Sequence, residues 1–177
     1  MKPTLHVVHP YTYKLLDGQY YFPSLVNHEG RAAAAYITHA LREDWRVVRH
    51  AAFDNETRIM DPQALRLGLL HILLDPRVVE VATTISGDPF SMCREEIERI
   101  AHTSSRAVFI GGVLECCVAR TAMAYAQGFS ETHSSYSPSL CVSQSKPEAA
   151  RARVFFDKYG ICEENTHREI QLSLPLK

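Results

Sequence analysis

The chain has 177 residues, 46% of them hydrophobic, with 19 Lys and Arg against 20 Asp and Glu and a formal net charge of −1. That is enough apolar material for one filled domain spanning residues 1–177. The charge balance gives neither a basic stripe for nucleic acid nor an acidic tail, and points to a small molecule or a protein as partner.

Taken in chain order, Thr4–His9 reads as the first strand, ended by Pro10. His6 and His9 would face opposite sides of it, as surface or hydrogen-bonded polar groups rather than metal ligands. A tyrosine-rich loop follows, and Ser24 is placed to cap a helix over Leu25–Asp44. Trp45–Phe53 reads as a second strand. Asp61-Pro62 opens a helix over Gln63–Asp75, apolar on several sides, which suits a buried core helix or an interface. Arg77–Thr83 is the third strand, and Ser91–Thr103 an amphipathic helix with Met92, Ile97 and Ile100 inward. Arg106–Gly112 is apolar throughout, as a central parallel strand should be. A helix over Cys116–Gln127 ends at Gly128. A fifth strand near Ser130–Ser137, a helix opened by Pro147 and a late strand over Arg168–Leu174 complete the pattern.

Strands alternating with helices predict an α/β fold, a three-layer αβα sandwich on a mostly parallel six-stranded sheet. No GxGxxG or Walker loop is present, so nucleotide binding has no support. The longest apolar stretch is shorter than a membrane span, and the opening residues lack the pattern of a secretory signal. The expectation is a cytoplasmic protein that contacts neither membrane nor nucleic acid.

Of the five cysteines, Cys93, Cys116, Cys117, Cys141 and Cys162, none forms a CxxC pair, and the odd number argues against a disulfide framework. Ligands of an open parallel sheet bind beyond the carboxyl ends of its strands. That selects His9, the Thr83–Phe90 segment and Gly111–Cys117. A thiol at a helix start is biased toward thiolate by the free N–H groups there, which also suit a developing oxyanion. The alternative is a small buried cysteine that only packs.

The segment GGVLECCVARTAMAYAQG, Gly111–Gly128, resembles the isochorismatase-like cysteine hydrolases, which include nicotinamidases and N-carbamoyl amidases. Their segment after the fourth strand runs roughly GxxTDxCVxxTAxxAxxxG. Gly111, Cys117, Val118, Thr121, Ala122 and Gly128 fall in register, with Ala124 or Tyr125 at the next alanine position. The resemblance implies Cys117 as nucleophile, a backbone oxyanion site at Val113, Leu114 and Cys116, and a cis peptide near Val113-Leu114. It also implies a triad of Asp, Lys and Cys. Here His9 stands at the Asp position and Thr84 at the Lys position, aligned on Phe90. The metal pattern of the nicotinamidases is absent, so no metal and no cofactor is expected.

Two functions remain open: a hydrolase of an amide, carbamoyl or ester bond with His9 as base, or a degenerate relative that binds a metabolite or partner. The resemblance also implies a homo-oligomer. Tyr11 and Tyr13 could stack on an aromatic ligand or pack their loop. Glu115 suits either a substrate contact or a partner for the helix dipole. Lys14 and Arg49 are candidates to replace the missing Lys.

Overall fold

The structure is a computed structural model in which residues 1–10, 30–54, 57–58, 70–84 and 90–166 are described, the side chains of 52–54, 57–58, 84 and 90–92 excepted. Among these residues the strands are β1 (Lys2–Val8), β2 (Arg46–Asp54), β3 (Thr57–Arg58), β4 (Val79–Thr84), β5 (Ser104–Gly112), β6 (His133–Val142) and β7 (Cys162–Glu163). The α-helices are α1 (Gly30–Arg42), α2 (Phe90–His102), α3 (Ala119–Gly128) and α4 (Lys146–Lys158).

Six strands pair in parallel in the order β4-β2-β1-β5-β6-β7. The two-residue β3 pairs antiparallel with the end of β2, through Phe53↔Arg58 and Asp54↔Thr57. Parallel strands need crossover connections, and these put helices on both faces. Strand alternation divides the core accordingly. Leu5 and Val7 of β1 and Val108 and Ile110 of β5 pack with Tyr36, Ile37 and Leu41 of α1. Val8, Val48, Val81 and Phe109 pack on the other face with Ile97 of α2, Tyr125 of α3 and Phe156 of α4. The three-layer sandwich read from the alternation is therefore present.

α4 starts where its sequence says it should. The Ser145 hydroxyl accepts the Glu148 N–H at 3.3 Å, and a proline occupies the first turn. There a missing N–H costs nothing.

Three of these elements differ from expectation. β1 stops at Val8, because His9 turns to φ 42°, so strand alternation does not extend to it. The fifth strand runs on to Val142, since its apolar C-terminal half pairs with β5 as far as Gly112↔Val142. Within the expected Gln63–Asp75 helix, the described part is a 3₁₀ turn, His71–Leu74, of which Leu73 is buried and Leu74 partly exposed. The expected Arg168–Leu174 strand lies outside the described residues; among those described, β7 pairs with β6.

Candidate active site

The parallel register brings the carboxyl ends of β1 and β5 side by side, with Val8 opposite Gly111. The approach is close: a Cβ on Gly111 would lie 2.0 Å from the Val8 carbonyl oxygen, and Gly111 has φ +132°. Both facts require glycine. A Gly-Gly pair also lets the backbone turn sharply. The stronger constraint at Gly111 is contact with the neighbouring strand.

The next peptide, Gly112-Val113, is cis. This is one residue earlier than the resemblance implied. The chain then winds through a single π-helical turn, Leu114–Val118, before α3 begins at Ala119. Val113 O accepts from Val118 N–H at 3.1 Å and from Cys116 N–H at 3.1 Å. The expected α-helix from Cys116 is thus replaced over its first residues by a wider turn. Cys117 lies inside that turn, and such turns recur at functional sites. Of the three backbone groups expected to hold an oxyanion, Cys116 N–H is already engaged by Val113.

Cys117 is buried at 6% exposure, while Cys116 is half-buried. Hydrogen bonding from the adjacent Cys117 thiol pulls the Cys116 thiol down to about 6. Burial opposes it, Arg120 helps, and Glu115 opposes. Of the others, Cys141 is pushed up to about 12, mainly by burial, and its thiol rests 3.9 Å from Phe109 O. The Cys93 sulfur accepts from Ala82 N–H at 3.3 Å. Cys162 is exposed on β7.

His9 is the other candidate at this edge. It is 2% exposed, and its backbone N–H donates to His50 O at 3.3 Å. A non-glycine residue at positive φ costs about 1–3 kcal/mol and marks a position held by its surroundings. What holds it is a side-chain bond: Nε2 lies 2.7 Å from Thr83 Oγ1. Thr83 also reaches Ala51 O at 3.3 Å. A hydroxyl has one proton, so when it goes to Ala51 O, His9 Nε2–H donates to Thr83 and Nδ1 is the basic nitrogen. Burial holds this imidazole well below its ordinary range, at about 3. The ordinary imidazole value near 6.5, which suits a proton shuttle at neutral pH, does not apply to it.

A second pair of histidines is buried nearby, His6 on β1 and His50 on β2. His6 Nδ1 is 2.9 Å from His50 Nε2, and both rings are fully buried. His6 stacks on Phe109 at 4.7 Å and meets the edge of Tyr125 at 4.8 Å. Burial, aided by Arg46, lowers His6 to about 3; burial, then His6 and His9, lower His50 well below its usual value.

The other expected residues fall out as follows. Thr84 ends β4 opposite Phe53, and Phe90 opens α2; both side chains lie outside the described part, as do Tyr11, Tyr13 and Lys14. Thr83, the first residue of the Thr83–Phe90 segment, and not Thr84, is the β4 hydroxyl joined to His9. Its signal was faint: one of two consecutive threonines at a strand end. Glu115 is tied to the loop before α4, where Oε1 accepts Gln144 N–H at 2.6 Å. With Arg120, Met123, Glu148, Arg151 and Phe155 it lines a surface groove of about 260 Å³ between α3 and α4. Arg49 is ion-paired with Glu80 and donates to Leu73 O. Among the described residues no group of three or more His, Cys, Asp or Glu is placed to hold a metal ion, and no helix is long and apolar enough to cross a membrane.

The sequence matches no protein-family profile and no curated protein. The fold is shared with solved structures. The nicotinamidase of Staphylococcus aureus aligns over 92% of this chain and 97% of its own, at 16% identity and a TM-score of 0.67. The N-carbamoylsarcosine amidase of Thermoplasma acidophilum aligns over 94% and 98%, at 16% identity and 0.68. The MAR1 ribonuclease of Caenorhabditis elegans aligns over 97% and 81%, at 14% identity and 0.68. The chain has the isochorismatase-like fold that the Gly111–Gly128 segment implied.

Proposed function

We propose that this chain is a cysteine hydrolase of a small-molecule amide, carbamoyl or ester, with Cys117 as nucleophile, His9 as base and Thr83 orienting His9. The observation that carries the reading is the His9–Thr83 bond of 2.7 Å. It fixes a strained, buried imidazole at the strand edge from which the Cys117 turn departs. A nucleophile, a base and a group that orients the base are the parts such chemistry needs. The amidases of the same fold add support.

In this mechanism Cys117 Sγ attacks the substrate carbonyl carbon, and its proton passes to His9 Nδ1. The tetrahedral oxyanion is held by backbone N–H groups of the Val113–Leu114 segment. Collapse breaks the bond to the leaving nitrogen or oxygen, which takes the proton back from His9. Water, deprotonated by the same imidazole, then hydrolyses the thioester and regenerates the thiol. Because burial keeps His9 neutral, proton transfer must accompany bond formation, and a resting thiolate–imidazolium pair does not form. The lowered Cys116 thiol beside Cys117 is also a competing site for negative charge.

That last point favours a second reading. A base as weak as His9, with threonine at the position where the resemblance expects Lys, suits a protein that binds a metabolite without turning it over. A panel of amides, carbamoyl compounds and esters separates the two. The hydrolase reading expects turnover that Cys117→Ala and His9→Ala each abolish and Cys116→Ala does not. Measurable binding without turnover in the wild-type protein supports the second reading and removes the first.

A further inference from the structure

The 3.6-residue repeat of α4 puts Glu148, Arg151, Val154, Phe155 and Lys158 on one face, turned away from Ala152 and Phe156, which are buried in the core. Val154 is 72% exposed and its neighbour Phe155 40%. The other large apolar side chains this exposed among the described residues, Met1 and Leu74, stand apart from each other in the chain. Phe155 lies against Tyr159 at 5.2 Å and, with Ala119, Met123 and Ala152, lines the groove of about 260 Å³ between α3 and α4. An apolar patch rimmed by charge marks an interaction surface.

The charges on this face select its partner. Along the helix they run acid, base, base: Glu148, Arg151, Lys158. A parallel copy of the helix would set each charge against its own kind. An antiparallel copy, related by a two-fold axis level with Arg153, sets Glu148 against Lys158 of the second copy, and the symmetry makes that contact twice. The same register sets Arg151 over the Phe155 ring of the second copy, a favourable cation–π arrangement, and brings the two Val154 side chains together beside the axis. At 1.5 Å per residue Glu148 and Lys158 lie about 15 Å apart along the helix, so the two ion pairs bracket the apolar centre. The face is therefore complementary to itself, as an isologous interface must be.

We propose that this face docks a second copy of the same chain, α4 antiparallel on α4, as a two-fold dimer. One helix pair covers less than the roughly 1,600 Å² of a standard interface, so the association is concentration-dependent. It does not depend on the hydrolase reading.

The test is sedimentation velocity of the full chain over a wide concentration range. The wild type should pass from monomer to dimer as concentration rises. Glu148→Lys and Lys158→Glu should each raise the dimer Kd about tenfold, because each homodimer then opposes like charges at both contacts. Mixing the two variants should restore the wild-type Kd, since only the mixed pair sets opposite charges at both. Val154→Asp, at an exposed side chain outside the core, should stay monomeric. A wild type that remains a monomer throughout, including one that takes up only a different protein on this face, overturns the proposal. So does a dimer whose Kd none of the three variants changes, or a mixture of the two charge variants that associates no more tightly than either alone.

Discussion

The His9 and Thr83 side chains meet at 2.7 Å over β2, joining the ends of two strands, β1 and β4, that flank it and do not pair with each other. The contact ties the candidate base to the sheet. Thr83→Val keeps the shape and removes the hydroxyl, leaving His9 Nε2 without this partner. Stability should fall by about 1 kcal/mol. Alkylation of Cys117 by iodoacetamide at pH 7, followed by peptide mass spectrometry, should slow about tenfold, with Thr83→Ser restoring it. Equal rates in wild type and Thr83→Val would mean that Thr83 does not position the base.

Gly111 gives the sharpest structural prediction. A methyl group there meets the Val8 carbonyl at 2.0 Å on a backbone of φ +132°. Overpacking and backbone strain together should cost about 4 kcal/mol, or roughly 10 °C in Tm for a chain of this size. Gly160→Ala is the control. It also has positive φ, +67°, but nothing lies within 4 Å of the added carbon, so only about 1 kcal/mol is expected. Similar melting temperatures for the two variants would contradict the close approach of β1 and β5.

Acid should destabilise the fold well before carboxylates titrate. His6 and His9 are held at about 3 by burial, and His50 is also lowered. In the unfolded chain each titrates near 6.5. Between these values the unfolded state binds more protons, so this stability is full above pH 6.5 and falls as pH drops toward 3. At pH 5 His6 and His9 each account for a loss of about 2 kcal/mol, and His50 acts in the same direction. Urea midpoints measured from pH 7.5 to 4.5 should fall steeply, and His50→Gln should flatten the slope. A flat profile in the wild type would mean that these rings are not buried neutral.

Charge around Cys116 has a definite sign. Arg120 lowers its thiol and Glu115 raises it. Arg120→Gln should move the alkylation midpoint of Cys116 upward and Glu115→Gln should move it downward. Each shift should correspond to about 1 kcal/mol or less, the scale of unit charges ~4 Å apart in water. Glu115→Gln should also loosen the Gln144 loop that the carboxylate holds at 2.6 Å. Shifts of the same sign in both variants would rule out this electrostatic account.

By itself the sequence determined the layers of this protein. Apolar strands alternating with amphipathic helices leave one economical burial, a parallel sheet covered on both faces, and that pattern is local. Cys117 was legible as a candidate for the same reason, since the Gly111–Gly128 segment holds its spacing within one stretch of chain. What the tertiary structure alone decided is how distant strand ends meet. The choice of Thr83 as the hydroxyl bonded to His9 depends on the register of β4 against β2. The coupling of His6 to His50 depends on two strands 44 residues apart sharing one face. Gly111 is irreplaceable because of a carbonyl on β1. The lowered pKa of His9 comes from burial created by the whole fold. Periodicity records which way a side chain faces, but not what it meets there, and the chemistry of this site depends on those meetings.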